Sequence, residues 1–437
     1  MPATLRAILV SVLLLATASA AWASAFPLRI DDAGSYLVDS DDRPFLLHGD
    51  TAWSLIAELT REEVDVYLAD RRSRGFNTLV VSLIEHKFAS NAPANAYGNL
   101  PFAEGRPFEP NDAFFDHARW VLSRAREEGF VVLLTPAYLG FGGGEEGWYA
   151  QMQAAGTEKL EAYGRYLAEH FRGLDNIIWL HGGDYDPADP SLVEAVIDGL
   201  RAGGDSALAA AHGAPDSIPA QVWRNADWMD IETIYSYSDV HRQVLERYQM
   251  ELGRPLLLLE GVYEGEHDSS EQSLREIAYG ALLGGAAGQV FGNNPIWHFS
   301  GPGIYSVEET WREALASRGA ESMTHLKTLF DGIAWWTLEP ALVDGPIQAA
   351  GGRLMTAVAP DRSWSISYLV APTGVEIDPS KFGAERLSIR WYDPSAGVMG
   401  QPTAVSADQG KPLAVAPPAP QNRAGFADWV LLVSAGE

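Results

Sequence analysis

The 437-residue chain carries 31 Lys and Arg against 58 Asp and Glu, a formal charge of −27, and no cysteine. So acidic a field repels a phosphate backbone or an anionic lipid surface, and no local basic patch offsets it, which argues against nucleic-acid and membrane partners. Without Cys there is no disulfide framework, thiolate nucleophile or sulfur-built zinc site, while 47% hydrophobic residues are enough for a large core.

Met1 to Ala25 holds one positive residue, Arg6, then the apolar run Ala7 to Ala16, then small-residue sites at Ala18-Ser19-Ala20 and Ala23-Ser24-Ala25. This is the pattern of a secretory signal peptide. The run is shorter than the roughly 18 to 20 residues that span a bilayer. The expectation is an exported protein, bacterial periplasmic or extracellular.

Short apolar runs bounded by Gly, Pro, Asp or Asn then alternate with amphipathic stretches. The strand candidates are Phe45–Asp50, Thr78–Leu83, Val131–Pro136, Ile177–Gly182, Ser206–His212, Met229–Thr233, Leu256–Glu260 and Gly288–Gly292. Helical patterns lie between them at Arg61–Arg74, Asp112–Glu128, Thr157–Phe171, Ser191–Ala202, Val240–Leu252 and Ser270–Leu283. Eight strands separated by helices predict an α/β fold, a (β/α)₈ TIM barrel, over residues 26–342. Beyond it helical periodicity stops. Short β-like runs at Leu354–Val358, Trp364–Leu369, Leu387–Trp391 and Trp429–Val433 predict a small all-β sandwich over residues 343–437.

In such a barrel catalytic groups sit at the C-terminal ends of strands. Asn176-Ile177-Ile178-Trp179-Leu180-His181-Gly182-Gly183-Asp184 ends an apolar strand on a double glycine and a carboxylate, and Leu256-Leu257-Leu258-Leu259-Glu260 ends four leucines on another. These are the fourth and seventh strands, opposite each other across the mouth. Two facing carboxylates suit glycoside hydrolysis, one donating a proton and one attacking the anomeric carbon. A single carboxylate after a strand is more often a cap or loop ion pair; two on these strands are harder to dismiss. The double glycine reads either as plain turn residues or as a place where substrate can approach the backbone closely.

Other strand ends supply candidate sugar-binding groups: Asp50 and Trp53 at the first, Glu85 at the second, Tyr138 at the third, His181 on the fourth, His212 at the fifth, Glu232 and Tyr235 at the sixth, Tyr263 after the seventh, and Asn293 and Trp297 after the eighth. Tyr235 is the expected hydrogen-bond donor to Glu260. The ten histidines are scattered with no His-Glu-x-x-His, so neither metal nor cofactor is expected.

Gly49-Asp50-Thr51-Ala52-Trp53-Ser54-Leu55, Gly75-Phe76-Asn77-Thr78, the Trp-Leu-His-Gly-Gly-Asp ending at Asp184, and Glu260-Gly261-Val262-Tyr263-Glu264-Gly265 resemble, in order, the apiosidase-like proteins of glycoside hydrolase family 140. The tail, with Trp391-Tyr392-Asp393-Pro394 and Trp429-Val430-Leu431-Leu432, is similar to the β-sandwich that follows the barrel in that family and is named for collagen binding. The resemblance implies retaining hydrolysis of apiosyl linkages in pectin, with Asp184 as acid/base and Glu260 as nucleophile. The implied partner is an oligo- or polysaccharide. The rival expectation is a non-catalytic carbohydrate-binding protein on a degenerate barrel.

Overall fold

The computed structural model of the protein describes residues 26–224, 226–342, 345–371, 374–406 and 411–436, so the expected leader Met1 to Ala25 lies outside the described residues. After a small antiparallel meander (Arg29–Ile30, Leu37–Val38, Pro44–Phe45), eight parallel strands follow: β1 (Leu47–Thr51), β2 (Thr78–Ser82), β3 (Val131–Thr135), β4 (Ile177–Gly182), β5 (Ala209–His212), β6 (Glu232–Tyr235), β7 (Leu256–Glu260) and β8 (Gly288–Phe291). They run in the order β5-β4-β3-β2-β1-β8-β7-β6. The ring closes between β5 and β6 through one parallel bridge, Ala210 to Ile231.

Each strand is buried on both faces, and alternation divides its residues between them. Leu47, Val80, Leu133, Ile178, Leu180, Ala210, Ile231, Leu257, Leu259 and Val290 fill the barrel interior. Leu79, Val81, Val132, Leu134, Trp179 and Phe291 point outward into the layer between strands and helices. The helices run over Arg61–Ser73, Asp112–Glu127, Thr157–His170, Ser191–Ala202, Val240–Tyr248, Glu271–Leu283 and Arg318–Asp331, with shorter turns between. Thr60 caps the first of these in a reciprocal box with Glu63. The expected sixth strand lies later than its apolar run, at Glu232–Tyr235, and the helix expected to reach Leu252 stops at Tyr248. Glu251, at φ 49°, turns the chain there. Among the described residues no helix is long and apolar enough to cross a membrane.

Two antiparallel sheets follow the barrel. The larger includes Leu354–Val358, Trp364–Leu369, Arg386–Asp393 and Trp429–Ala435; the smaller pairs Ile347–Ala349, Val375–Ile377 and Leu413–Val415. The strand Leu413–Val415 runs into the Pro-rich stretch Ala414 to Pro420. Ile347, Val375 and Ile377 of the small sheet pack on Leu369, Leu387, Ile389, Leu431 and Val433 of the large one, forming a sandwich. The other face of the large sheet, with Met355, Ile366, Tyr368 and Val430, joins the barrel's outer core.

One buried ion pair pins this junction. Arg275, on the helix Glu271–Leu283, grips Asp428 with Nε to Oδ2 at 2.7 Å and Nη2 to Oδ1 at 2.8 Å. Tyr368 and Asn422 donate to the same carboxylate, each at 2.8 Å. Truncating one partner strands the other charge in a dry interface, which typically costs about 3–5 kcal/mol. Asp428→Ala is therefore expected to lower the free energy of unfolding measured in urea by a corresponding amount; a loss below about 1 kcal/mol would show that solvent reaches Arg275.

Candidate active site

The end of β4 is shaped by its neighbours. Gly182 sits at φ 101°, and a Cβ there would stand 2.2 Å from the His212 carbonyl oxygen. A Cβ on Gly183 would lie 2.7 Å from the Leu139 nitrogen and 2.8 Å from the Tyr138 ring. The backbone is tied to both sides, Leu139 N–H donating to Gly182 at 3.2 Å and Gly183 N–H to His212 at 3.0 Å. The double glycine thus serves the approach of adjacent strands rather than of substrate, and it delivers Asp184 to the mouth.

Glu260 reaches the mouth by a different device. Leu257 and Leu259 face the interior while Leu256 and Leu258 face a helix-side cluster, so strict alternation would point Glu260 outward. The pairing with β6 slips at this point: Leu258 lies opposite Ile234 and Glu260 opposite Tyr235. The extra residue is a β-bulge that turns the carboxylate inward.

Between the two acids stands His212, at the end of β5. Its Nε2 lies 3.2 Å from Asp184 Oδ1 and 3.1 Å from Glu260 Oε2. Neither contact is aligned as a hydrogen bond, so all three atoms are buried with unspent capacity. Trp53 stacks over the imidazole at 5.6 Å and 19°. Its indole N–H donates to the Tyr263 hydroxyl at 3.0 Å, and Tyr263 in turn bonds Glu260. The Tyr138 hydroxyl bonds Asp184.

Burial, opposed by His212 and reinforced by the charge of Glu260, pushes Asp184 up to about 7. Burial alone would lower His212, yet its close contact with Glu260 and the charges of both acids outweigh that and raise it. Asp184, His212 and Glu260 each offer one ligand atom within 4.8 Å of the others, and among the described residues no other group of three potential metal ligands meets this way. The same atoms suit a proton held between two carboxylates by an imidazole.

The three groups open into a small cleft of about 100 Å³. Trp53, Glu85, Tyr138, Tyr263 and Trp297, all expected at the site, line it with them.

The family model described as "Apiosidase-like, catalytic domain" matches residues 31–337. The chain belongs to the apiosidase-like family. It is therefore a glycoside hydrolase by membership. A second model, described as "Putative collagen-binding domain of a collagenase", matches residues 343–434. Comparison with curated protein sequences returned no match. Similar solved structures include a protein titled "Glycoside hydrolase" (TM-score 0.80, 22% identity, covering 95% of this chain and 98% of that one). A family 5 glycoside hydrolase from Bacteroides vulgatus has TM-score 0.80 and 21% identity over 93% of each chain. An exo-β-1,4-mannosidase from an Opitutaceae bacterium has TM-score 0.53 and 17% identity, over 69% of this chain and 62% of that one. At these identities the likeness is one of fold.

Several expected ligands of this apiosidase-like barrel stand elsewhere. Asp50 points outward from β1, where it accepts from the Tyr67 hydroxyl at 2.7 Å and pairs with buried Arg71 at 3.4 Å. His181 also faces outward, edge-on to Trp228 at 5.3 Å, and burial holds it down at about 3. Glu232 turns away from the cleft to accept from the Ala220 N–H at 3.1 Å. Asn293 donates to Glu264 at 3.0 Å and is structural. For Asp50, His181 and Glu232 the reason is the same: they occupy the helix-facing register of their strands. Tyr235 packs on His212, but its hydroxyl donates to Tyr237 at 2.9 Å, so Tyr263 rather than Tyr235 serves Glu260. Glu85 reaches the cleft with one oxygen already accepting from the backbone N–H groups of His86, Lys87 and Phe88 at 2.9–3.0 Å; its part is to shape the loop after β2.

The cleft also holds residues that sequence reasoning missed: Ser82, Phe88, Tyr237, Glu266, Ile304 and Tyr305. Tyr237 was within reach, since it lies two residues past Tyr235. Glu266 and Tyr305 sit on irregular loops with no period to reveal them.

The electrostatic coupling yields a test. Glu260→Gln removes a charge that raises Asp184, so carbon-13 NMR of labelled aspartate should show its titration moving down from about 7 by a unit or more, about 1.4 kcal/mol per unit. An unmoved titration would mean that burial alone sets it.

Proposed function

We propose that the protein is an exported, retaining glycoside hydrolase acting on a plant cell-wall type glycan, with apiosyl side-chain linkages of pectin as the family-based expectation. Asp184 is the acid/base and Glu260 the nucleophile. The observation that carries the reading is that β4 and β7 bring carboxylate oxygens within 4.8 Å of each other in one cleft, with His212 between them. So close an approach favours the retaining arrangement, whose two carboxyl groups stand nearer each other than those of the inverting one. Export is supported by the leader-like Met1 to Ala25.

In the first step Asp184 gives its proton to the glycosidic oxygen while a Glu260 oxygen attacks the anomeric carbon. The leaving alcohol departs and a glycosyl ester remains on Glu260. In the second, Asp184, now a carboxylate, takes a proton from water whose oxygen attacks the same carbon, freeing Glu260. Burial near Glu260 suits Asp184 to both steps, keeping it protonated in the free enzyme and less readily once the ester has removed the neighbouring charge. The Trp53–Tyr263–Glu260 chain holds the nucleophile in place. A purely binding role would not need an acid titrating near neutrality, which disfavours the degenerate-barrel alternative.

Product analysis on pectic and other plant polysaccharides should find a cleaved glycan. On it Asp184→Asn is expected to lose roughly 10²–10⁴-fold in kcat. Glu260→Ala should be inactive until azide is added, then release a glycosyl azide of inverted configuration. Wild-type activity in both variants would refute the assignment. Because Asp184 must carry a proton to act as the acid, kcat/KM should fall as pH rises through about 7; a profile flat to pH 9 would assign the acid elsewhere.

A further inference from the structure

The sandwich leaves one end of its inner face open. Ile347, Val375 and Ile377 of the small sheet pack over Leu387, Ile389, Leu431 and Val433 of the large one. Trp391, opposite Leu431 in the paired strand, packs against the same core. Trp429 stands two residues before Leu431, so alternation puts it on that face as well. None of the described residues of the small sheet lines this end. Instead the two tryptophans line a groove of about 460 Å³ walled by residues of the segments 398–403 and 418–423. It is roomier than the catalytic cleft and shares no residue with it.

The wall of this groove is tied down. Asn422 donates to the Asp428 carboxylate at 2.8 Å and accepts from the N–H groups of Ala424 and Phe426 at 3.1 and 3.0 Å, so the loop hangs on the aspartate that Arg275 grips. Asp393, the carboxylate in the lining, accepts from the backbone N–H groups of Ser395 and Arg423, each at 3.0 Å. The other polar side chains are open. Those of Gln401, Thr403, Gln421 and Arg423 are exposed and make no hydrogen bond or ion pair among the described residues. Trp429 is only 7% exposed, and its indole N–H also lacks a partner. A buried donor left open is costly unless a ligand or water takes it.

These groups together match a sugar acid. Among the described residues Arg423 is the one cation lining the groove. Its planar fork suits a carboxylate, the rings suit a C–H face, and the amides of Gln401 and Gln421 can both give to and take from hydroxyls. A proline-rich strand would also lie on tryptophans, but it offers only carbonyl acceptors and no charge for Arg423.

We infer that this groove is a second glycan site, separate from the cleft that cleaves the bond, and that it holds a uronic-acid unit of a polysaccharide with Trp391 and Trp429 against the ring and Arg423 on the carboxylate. The inference does not depend on the roles of Asp184 and Glu260. It gives a chain of formal charge −27 a local point of attraction for an acidic polymer that its net field repels.

The test is affinity electrophoresis at low salt of the full chain carrying Glu260→Gln, so that no turnover intervenes. The gels hold polygalacturonan, the same polymer after reduction of its carboxylates to hydroxymethyl groups, or gelatin as a proline-rich chain. Polygalacturonan should bind about fivefold more tightly than the reduced polymer, the effect of one exposed ion pair. Adding Arg423→Gln should abolish that difference. Adding Arg386→Gln, an equal charge change at the exposed far end of the strand that carries Trp391, should leave it intact and so exclude net charge as the cause. Adding Trp391→Ala should weaken binding of both polymers. Trp391 packs on the sandwich core, so if that variant fails to fold, Arg423→Gln at an exposed side chain decides alone. Equal binding of the two polymers overturns the proposal, as does a difference that survives Arg423→Gln or retention by gelatin in place of polygalacturonan. Retention that depends on Arg423 in a protein whose wild type cleaves no glycan would keep the groove and count against the catalytic reading.

Discussion

Closure of the parallel sheet is the constraint from which the site follows. Once eight strands form a ring, each side chain has two destinations, the barrel interior or the layer beneath the helices. The interior here is filled by Leu, Ile, Val and Ala from every strand except β6, with Ile231 just ahead of it. A polar group can therefore meet others across the axis only where the filling ends, at the C-terminal rim. Asp184, His212 and Glu260 are three such groups, drawn from β4, β5 and β7. The glycines at 182 and 183 and the slip in pairing before Glu260 are local departures from regular strand geometry that make the meeting possible. Both lie at the rim, where a distortion does not propagate into the packed interior.

Desolvation then gives the meeting its chemistry. Two carboxylates and an imidazole crowded away from water cannot all hold their solution charges. The result is a raised Asp184 and a raised His212 in one cluster, a shared-proton arrangement whose ionisation changes when any member changes. Glu266 extends the same logic: it lines the same cleft, and burial raises it to about 7. The acidity evident in the composition is thus also present at the one place where substrate would enter.

The period-2 rule also explains what the sequence made legible. Strands β1 to β8 and the helices between them stood out because each had to bury one or both faces, and burial writes a pattern. Asp184 and Glu260 stood out as carboxylates ending apolar runs. The pattern was silent about direction: Asp50, His181 and Glu232 end or flank the same strands but face the helices, where Arg71, Trp228 and the Ala220 amide receive them. Counting alternate residues from the interior leucines separates these three correctly, yet the same count would have rejected Glu260, because a bulge leaves no mark in a run of four leucines. Glu266, His267 and Tyr305 lie on loops whose conformation is set by contacts across the mouth, and no local regularity announces them.

Those loops connect the site to the second domain. The segment from Glu260 carries Tyr263, Glu266 and His267, then enters the helix Glu271–Leu283 through a Ser270 cap. That helix is the one the sandwich holds. Arg275 is locked to Asp428, Gln272 donates to the Val370 carbonyl at 2.8 Å, and Tyr279 stacks on Tyr368 at 4.7 Å and 11°. All three contacts fall within ten residues of Ser270, on the first turns after the loop. A loop whose far end is anchored has fewer conformations to lose when it closes on a ligand, so positioning the Glu266 wall is cheaper with the sandwich in place. The large sheet spends one face on its own core and the other on this junction, which makes buttressing the helix that fixes the cleft wall a role its packing already performs.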